Sequence, residues 1–494
     1  MTSVRRALGL SVIERFALIA LNLISYVIIA RLLTPHEIGL YSVAAALIGI
    51  LQVLREFGIG NYLIQTKDLT QERLDSALGV SLGLGLMAFI ASWVASPWAA
   101  DFYGDAEVSN VLRVAALNFL LLPLCSIGQS LLRRALRFDS LLHSSVAGGV
   151  FGFIATLGLA FHGTGPASLA WGSVATNLVI AAICWNGLPA DQRPHRPRWR
   201  HWRELMHFGR SGTAAAVVTT VAVDINDLVI GRLLGLAPVA LLSRAMGLMN
   251  MWQRDLMQAA RNVALPAFAK AHREGHPLEP LFLHSYAAVL ACSLPYYGFV
   301  GLFPLESLRL LAGPQWDAAL PMVGVFAVAG AFLSVNTLIP TLLIAAGRVE
   351  LAAAADIIYA GMRVLVVVAT ALLSRDLMYV SIAFLAAYAV SPLVFLYYKH
   401  RCVPIDLRGM REVTLRSLAV TATCLVPALA VSLAWGWGRQ QPMPLALFLG
   451  TAAAVPPLWL LALRWWGHPV ASDPVYLRAV AALRTLLRRV RRRS

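Results

Sequence analysis

The sequence predicts an all-α, polytopic membrane protein of about 14 transmembrane helices: two six-helix bundles related by a pseudo-twofold axis, then two further C-terminal helices. Three observations predict it. Hydrophobic residues make up 59% of the 494 and charged residues 13%, against roughly 45–50% and roughly 25% in soluble domains. A mean hydropathy of +0.69 over 53.5 kDa requires a solvent other than water, because no single core of this length hides so much apolar side chain. The 41 Lys and Arg residues, which exceed the 25 Asp and Glu and leave a formal charge of +16, lie between apolar runs and not on one face.

At about 20 residues per crossing, six spans fall near 11–30, 38–62, 77–97, 114–130, 144–161 and 168–186. Six more fall near 211–231, 236–253, 285–303, 318–346, 351–373 and 379–398, and two near 417–436 and 444–463. The organisation predicted is an N-terminal bundle over 1–190, a basic linker over 191–210, a second bundle over 211–400, two extra helices over 401–466 and a basic tail over 467–494. Backbone groups in hydrocarbon must be satisfied internally, and no alternating barrel pattern is visible, so the spans are helices. Arg5 and Arg6 before the first run resemble a signal peptide, but the run is long and followed by many more; it reads as a retained helix.

Alternate connections carry 31 Lys and Arg against six on the opposite side, with four inside spans. This bias places both termini in the cytoplasm. One misdrawn span would scramble it, so its persistence supports an even count, fourteen with twelve as the alternative. Residues 29–48 laid on 230–249, a shift of 201, match at eight positions, among them Arg31/Arg232, Ser42/Ser243 and Ala44/Ala245. Spans 1 and 7 run the same way, so the repeat is parallel and implies a cleft between two similar bundles.

The linker from Arg193 to Arg203 interleaves Arg with Trp199 and Trp202. It reads as a cytoplasmic segment leaning on anionic membrane lipid, with nucleic acid or a pyrophosphate head group as the sharper alternative. The stretch from Asp473 to Ser494 reads as an interfacial amphipathic helix. Gly79/Gly83 and Gly148/Gly152 have the spacing of close helix contacts.

Five scattered cysteines, Cys125, Cys184, Cys292, Cys402 and Cys424, form neither a disulfide framework nor a zinc set. No phosphate loop, catalytic carboxylate pair or Ser/His/Asp arrangement is legible, so an enzyme, an ATP-driven pump and a cofactor are not expected. His272 and His276 have i,i+4 spacing but no third ligand, and read as a solvated turn; no metal is expected.

Ionisable groups inside spans cost about 3 kcal/mol or more at a helix centre and mark cavities or partners. Arg363 lies about 18 Å into its span, with Asp356 on roughly the same face. Asp224 and Asp227 are i,i+3 neighbours, with Arg244 at the depth of Asp224. Arg55 and Glu56 lie at the depth of Glu14 and Arg15, where pairing is the plainer reading. Arginine stays charged when dehydrated and holds phosphate oxygens through several donors. Arg363, Arg244 and Arg55 are therefore candidate substrate-binding groups, and Asp224, Asp227 and Asp356 candidate ion-coupling or pairing groups.

The stretch Ala30-Arg-Leu-Leu-Thr34-Pro35-His-Glu37-Ile-Gly39-Leu-Tyr41-Ser42 resembles the opening of bacterial oligosaccharide flippases of the polysaccharide transporter family. Asn226-Asp227-Leu-Val-Ile-Gly231-Arg232, Ser243-Arg244-Ala245 and Leu265-Pro266-Ala267 resemble its seventh and eighth helices and the segment after them. The family commonly has Asp then Asn where this chain has Asn226 then Asp227. The resemblance implies the fold of the multidrug, oligosaccharide-lipid and polysaccharide exporter superfamily. It also implies an undecaprenyl-pyrophosphate-linked oligosaccharide as substrate, for lipopolysaccharide, capsule or exopolysaccharide assembly. Polysaccharide polymerase and export proteins would be its partners, and nucleic acid would not. A multidrug exporter on the same scaffold and a non-transporting scaffold for glycan assembly are the alternatives.

Overall fold

The computed structural model describes residues 21, 23–189, 192–436 and 441–473. The amphipathic tail expected beyond Asp473, and Glu14 and Arg15 beside Arg55, lie outside these residues. In chain order the helices are α1 (Leu23–Leu32), α2 (Pro35–Glu56), α3 (Ile59–Gln65), α4 (Gln71–Tyr103), α5 (Ala106–Ala116), α6 (Asn118–Arg134), α7 (Phe138–Phe161), α8 (Ala167–Gly187), α9 (Trp202–Leu233) and α10 (Leu236–Asn250). They continue as α11 (Met257–Arg273), α12 (Leu278–Leu302), α13 (Pro304–Leu311), α14 (Leu320–Asn336), α15 (Ile339–Ala345), α16 (Val349–Ser374), α17 (Leu377–His400), α18 (Leu407–Trp435) and α19 (Leu445–Trp465). No strand occurs among the described residues. Eleven helical stretches there are long and apolar enough to cross a membrane. The remaining three of the fourteen expected spans correspond to α1, charged α9 and α10.

The sequence repeat is also a structural one. Helix α1 ends at Leu32 and α9 at Leu233, while α2 begins at Pro35 and α10 at Leu236, so both breaks keep the shift of 201. In the first copy the break is set by Thr34, whose hydroxyl accepts from the Glu37 N–H at 3.3 Å while the Glu37 carboxylate accepts from the Thr34 N–H at 2.7 Å. This capping box, with Pro35 at the first helical position, satisfies donors that a helix start leaves open. In the second copy Gly235 makes the turn at φ +105°, a region glycine occupies without steric cost. Gly39 lies against the Leu236 carbonyl, 1.8 Å from where a Cβ would stand, so any side chain there would push the two breaks apart.

The chain divides into two compact units. The first holds residues up to Leu241 with 311–315 and 371–375, and the second holds most of the rest. Helix α9 belongs to the first, where it packs on α2, although the sequence grouped it with the second bundle. Within the first unit α7 and α8 pack through Gly148, Gly152 and Gly172, as their spacing predicts. Gly79 and Gly83 differ: they face the backbone of Arg198 and the ring of Trp199, from the linker, instead of a neighbouring helix.

In the second unit α12 packs on α14 and α18, and α18 on α19. The indole of Trp459 donates to the Ala291 carbonyl at 2.6 Å, so the added helices are fastened to α12. Between α10 and α11 the helix widens into a π segment, Met251–Leu256. Such segments free carbonyls from their usual partners, and here Tyr296 donates to Leu248 O at 2.8 Å and Tyr297 to Met249 O at 3.4 Å. The connection expected over 254–284 is thus largely helical. His272 sits in the last turn of α11 and His276 beyond it, 3.7 Å from Glu274. No group of three metal-ligating side chains occurs among the described residues.

Behind α19, His468 is 2% exposed. Its Nδ1 accepts from the Val470 N–H at 3.3 Å, leaving the proton on Nε2, which lies 3.0 Å from Ser417 Oγ. Burial, helped by the positive charge of Arg416, lowers its pKa from 6.5 to about 4. A depressed histidine contributes stability that is full above pH ~6.5 and lost as pH falls toward about 4. Its loss is worth roughly 3 kcal/mol. Thermal unfolding in detergent should therefore fall between pH 7 and pH 4.5, and His468→Gln should flatten that dependence. An unchanged pH profile in the variant would remove His468 as the cause.

Candidate functional site

In the first unit α2 and α9 carry the candidate charged groups. Helix α2 stops at Glu56 because Phe57 and Gly58 take left-handed conformations, φ +41° and +68°. The Phe57 carbonyl then lies 2.0 Å from the place a Cβ would take on Gly209 of α9, which pins the end of α2. One residue before that end, Arg55 is 3% exposed, and its Nε and Nη1 have no hydrogen-bond partner among the described residues. A buried guanidinium with open donors is costly unless an anion completes it.

Further along α2, Gly49 faces Asp224, whose Oδ2 lies 2.8 Å from where a Gly49 Cβ would be. Gly49 and Arg55 are about 9 Å apart along the helix axis. Asp224 and Asp227 are both half-buried, and neither makes a hydrogen bond or ion pair among the described residues. Asn226 between them is 4% exposed; its amide donates to the Ala222 and Val223 carbonyls, while its Oδ1 has no partner. This unit therefore presents a cation near one end of α2 and two carboxylates nearer its middle.

In the second unit Arg244 is 8% exposed and its guanidinium lies over the fully buried ring of Trp316, 4.9 Å from the centroid. Arg363 on α16 is half-buried, 5.7 Å from the ring centroid of Tyr359. Tyr359 in turn packs against Tyr388 at 6.4 Å and Phe395 at 5.8 Å on α17. Asp356, one helical face from Arg363 by spacing, is exposed and has no ion-pair partner among the described residues. An aromatic ring lies beside each of these arginines, and such rings offer flat apolar contact. The sequence reading missed Trp316, Tyr359 and Tyr388: all three lie far in sequence from the arginine or on an apolar run where a ring looks like core.

Residues 28–321, more than half of the chain, match the family described as polysaccharide biosynthesis protein. The chain is 23% identical over 347 residues to the lipopolysaccharide biosynthesis protein WzxC of Escherichia coli (strain K12), covering 69% of this chain and 70% of that one. To the succinoglycan biosynthesis transport protein ExoT of Rhizobium meliloti (strain 1021) it is 25% identical over 346 residues, 69% of each chain. The solved lipid II flippase MurJ, in an inward closed conformation, has the same fold, with a TM-score of 0.72 at 12% identity over 92% of this chain and 97% of that one. An inward-facing multidrug resistance transporter of the MATE family follows at 0.61 and 16%, over 79% and 95%. The family resemblance carried by Thr34-Pro35 and by the α9–α10 region is thus borne out: the chain, with its many apolar helices a multi-pass membrane protein, belongs to the polysaccharide biosynthesis protein family.

Proposed function

We propose that the protein translocates an undecaprenyl-pyrophosphate-linked oligosaccharide from the cytoplasmic to the periplasmic leaflet of the bacterial inner membrane, for polysaccharide or lipopolysaccharide assembly. The observation that carries this reading is Arg55: a guanidinium 3% exposed whose Nε and Nη1 have no hydrogen-bond partner among the described residues suits the binding of an anion. Arg244 and Arg363, each beside an aromatic ring, would take further pyrophosphate or acidic-sugar oxygens, with the rings against sugar faces. Asp224, Asp227 and Asp356 lack ion-pair partners among the described residues, which suits binding a proton or sodium ion better than static pairing. The names of WzxC, ExoT and MurJ support the same substrate class. Both termini lie in the cytoplasm by the Lys and Arg bias, and polymerase and export proteins would act next.

Deletion in the native host tests the reading. Loss of surface polysaccharide, with lipid-linked oligosaccharide accumulating and sensitivity to cationic dyes unchanged, is the expected result. Dye hypersensitivity with intact surface glycan would replace the proposal with drug export.

A further inference from the structure

The linker preceding α9 is a fixed strap, and its fixation is built from α4. Asp75, 3% exposed, accepts the His195 N–H at 2.8 Å through Oδ1, and its backbone carbonyl accepts the Arg198 N–H at 3.0 Å. Ser76 Oγ accepts the His201 N–H at 3.3 Å, and Gln71 donates to the Arg193 carbonyl at 2.9 Å. The missing Cβ atoms of Gly79 and Gly83 let the Arg198 backbone and the Trp199 ring lie flat on the helix, at 2.1 and 2.2 Å from where those atoms would be. With its backbone occupied in this way, the strap turns its side chains outward.

What it turns outward is cationic and aromatic. Arg196, Arg198, Arg200 and Arg203 are exposed, and Trp199 and Trp202 are 58% and 45% exposed. Glu72 takes Arg200 at 2.8 Å, and Arg198 lies 3.7 Å from Asp75. Arg196 and Arg203 have no carboxylate within ion-pair distance among the described residues; Arg203 instead lies over the Trp202 ring. The strap thus keeps positive charge that its own acids leave uncompensated.

The same face of α4 explains what the charge is for. Gly79 and Gly83 continue at helical spacing into Leu86, Met87 and Ile90, which are 50%, 65% and 50% exposed. On a membrane-spanning helix such a row faces acyl chains. Gly83 lies about 18 Å from the start of α4, so the Trp199 ring stands where strap and apolar row meet, the level at which tryptophans settle in bilayers.

We propose that strap and row together form a binding site for an anionic phospholipid, its headgroup phosphate held by Arg196 and Arg203 and its chains lying along Leu86, Met87 and Ile90. The site is separate from the translocation residues and needs only that α4 spans the membrane. Nucleic acid is a poor fit, because the tryptophans lie at bilayer depth.

The test uses the full-length protein in nanodiscs containing brominated phosphatidylglycerol or brominated phosphatidylcholine, reading tryptophan quenching against Trp199→Phe/Trp202→Phe to isolate those two rings. Phosphatidylglycerol should quench them preferentially. Each arginine at a bilayer surface is worth about fivefold in anionic-lipid affinity, so Arg196→Ala/Arg203→Ala should cut the preference roughly 25-fold, and salt should cut it in the wild type. Both arginines are exposed, so the variant should fold as the wild type does. Equal quenching by the two lipids, or a preference that the variant and salt leave intact, would overturn the proposal. Displacement of phosphatidylglycerol by stoichiometric undecaprenyl pyrophosphate would also overturn it, and would assign the strap to the transported lipid.

Discussion

Replacing Arg55 with alanine should lower glycan export about a hundredfold or more while leaving the chain in the membrane at its normal level. The magnitude follows from removing one partner of a desolvated, hydrogen-bonded charge contact, which costs roughly 2–5 kcal/mol. A buried arginine serving only the fold would have its donors filled, and its loss would destabilise the protein by leaving a hole and open acceptors. Among the described residues Nε and Nη1 of Arg55 have no hydrogen-bond partner at 3% exposure, and the neighbouring Glu56 carboxylate attracts it, so removing Arg55 costs no hydrogen bond at those two atoms. Unfolding temperature in detergent should therefore hold or rise as activity falls, the trade expected at a site kept strained for its ligand. Arg55→Lys keeps the charge but not the fork, and should recover part of the export. Concurrent loss of stability and export would instead make Arg55 structural.

Arg363→Ala should abolish export in a complementation assay with membrane levels intact. Its guanidinium lies over the Tyr359 ring, and a cation at that depth costs about 3 kcal/mol or more to insert. Membrane level and unfolding temperature, read beside export, separate a role in transport from a role in the fold. Tyr359→Phe should preserve both export and folding if the ring, and not the hydroxyl, provides the contact. Undiminished export by Arg363→Ala would remove that residue from the site.

Much of the architecture was legible because the bilayer simplifies the code. Apolar run length gives spans, and charge bias gives sides. The repeat at a shift of 201 was visible in residues 29–48, and the helix breaks fall in the same register because Thr34-Pro35 and Gly235-Leu236 each stop and restart a helix. The unit boundary was less legible. A helix such as α9 is apolar on more than one side, so periodicity does not say whether it packs on α2 or on later helices, and only the Gly209 and Gly49 contacts assign it.

Side-chain partnerships were read least well. Helical spacing put Asp356 on roughly the face of Arg363, but spacing ignores rotamer, and Arg363 meets Tyr359, four residues away on its own helix. Gly79 and Gly83 were assigned to helix packing because small-residue spacing is silent about what approaches; here it is a strap of loop. The arginines stood out in the sequence as rare charges in apolar surroundings. Their aromatic neighbours were invisible, since a Trp or Tyr in a hydrophobic run carries no mark that separates a site wall from a core.

The central claim is that these arginines engage a lipid-linked anion during translocation. The measurement that tests it most directly is the initial rate at which purified protein in liposomes moves fluorescent undecaprenyl-pyrophosphate-linked oligosaccharide between leaflets, for the wild type and for Arg55→Ala/Arg363→Ala. The account predicts a protein-dependent rate that the double substitution reduces to that of empty liposomes. A wild type no faster than empty liposomes, or a double variant as fast as the wild type, would contradict it.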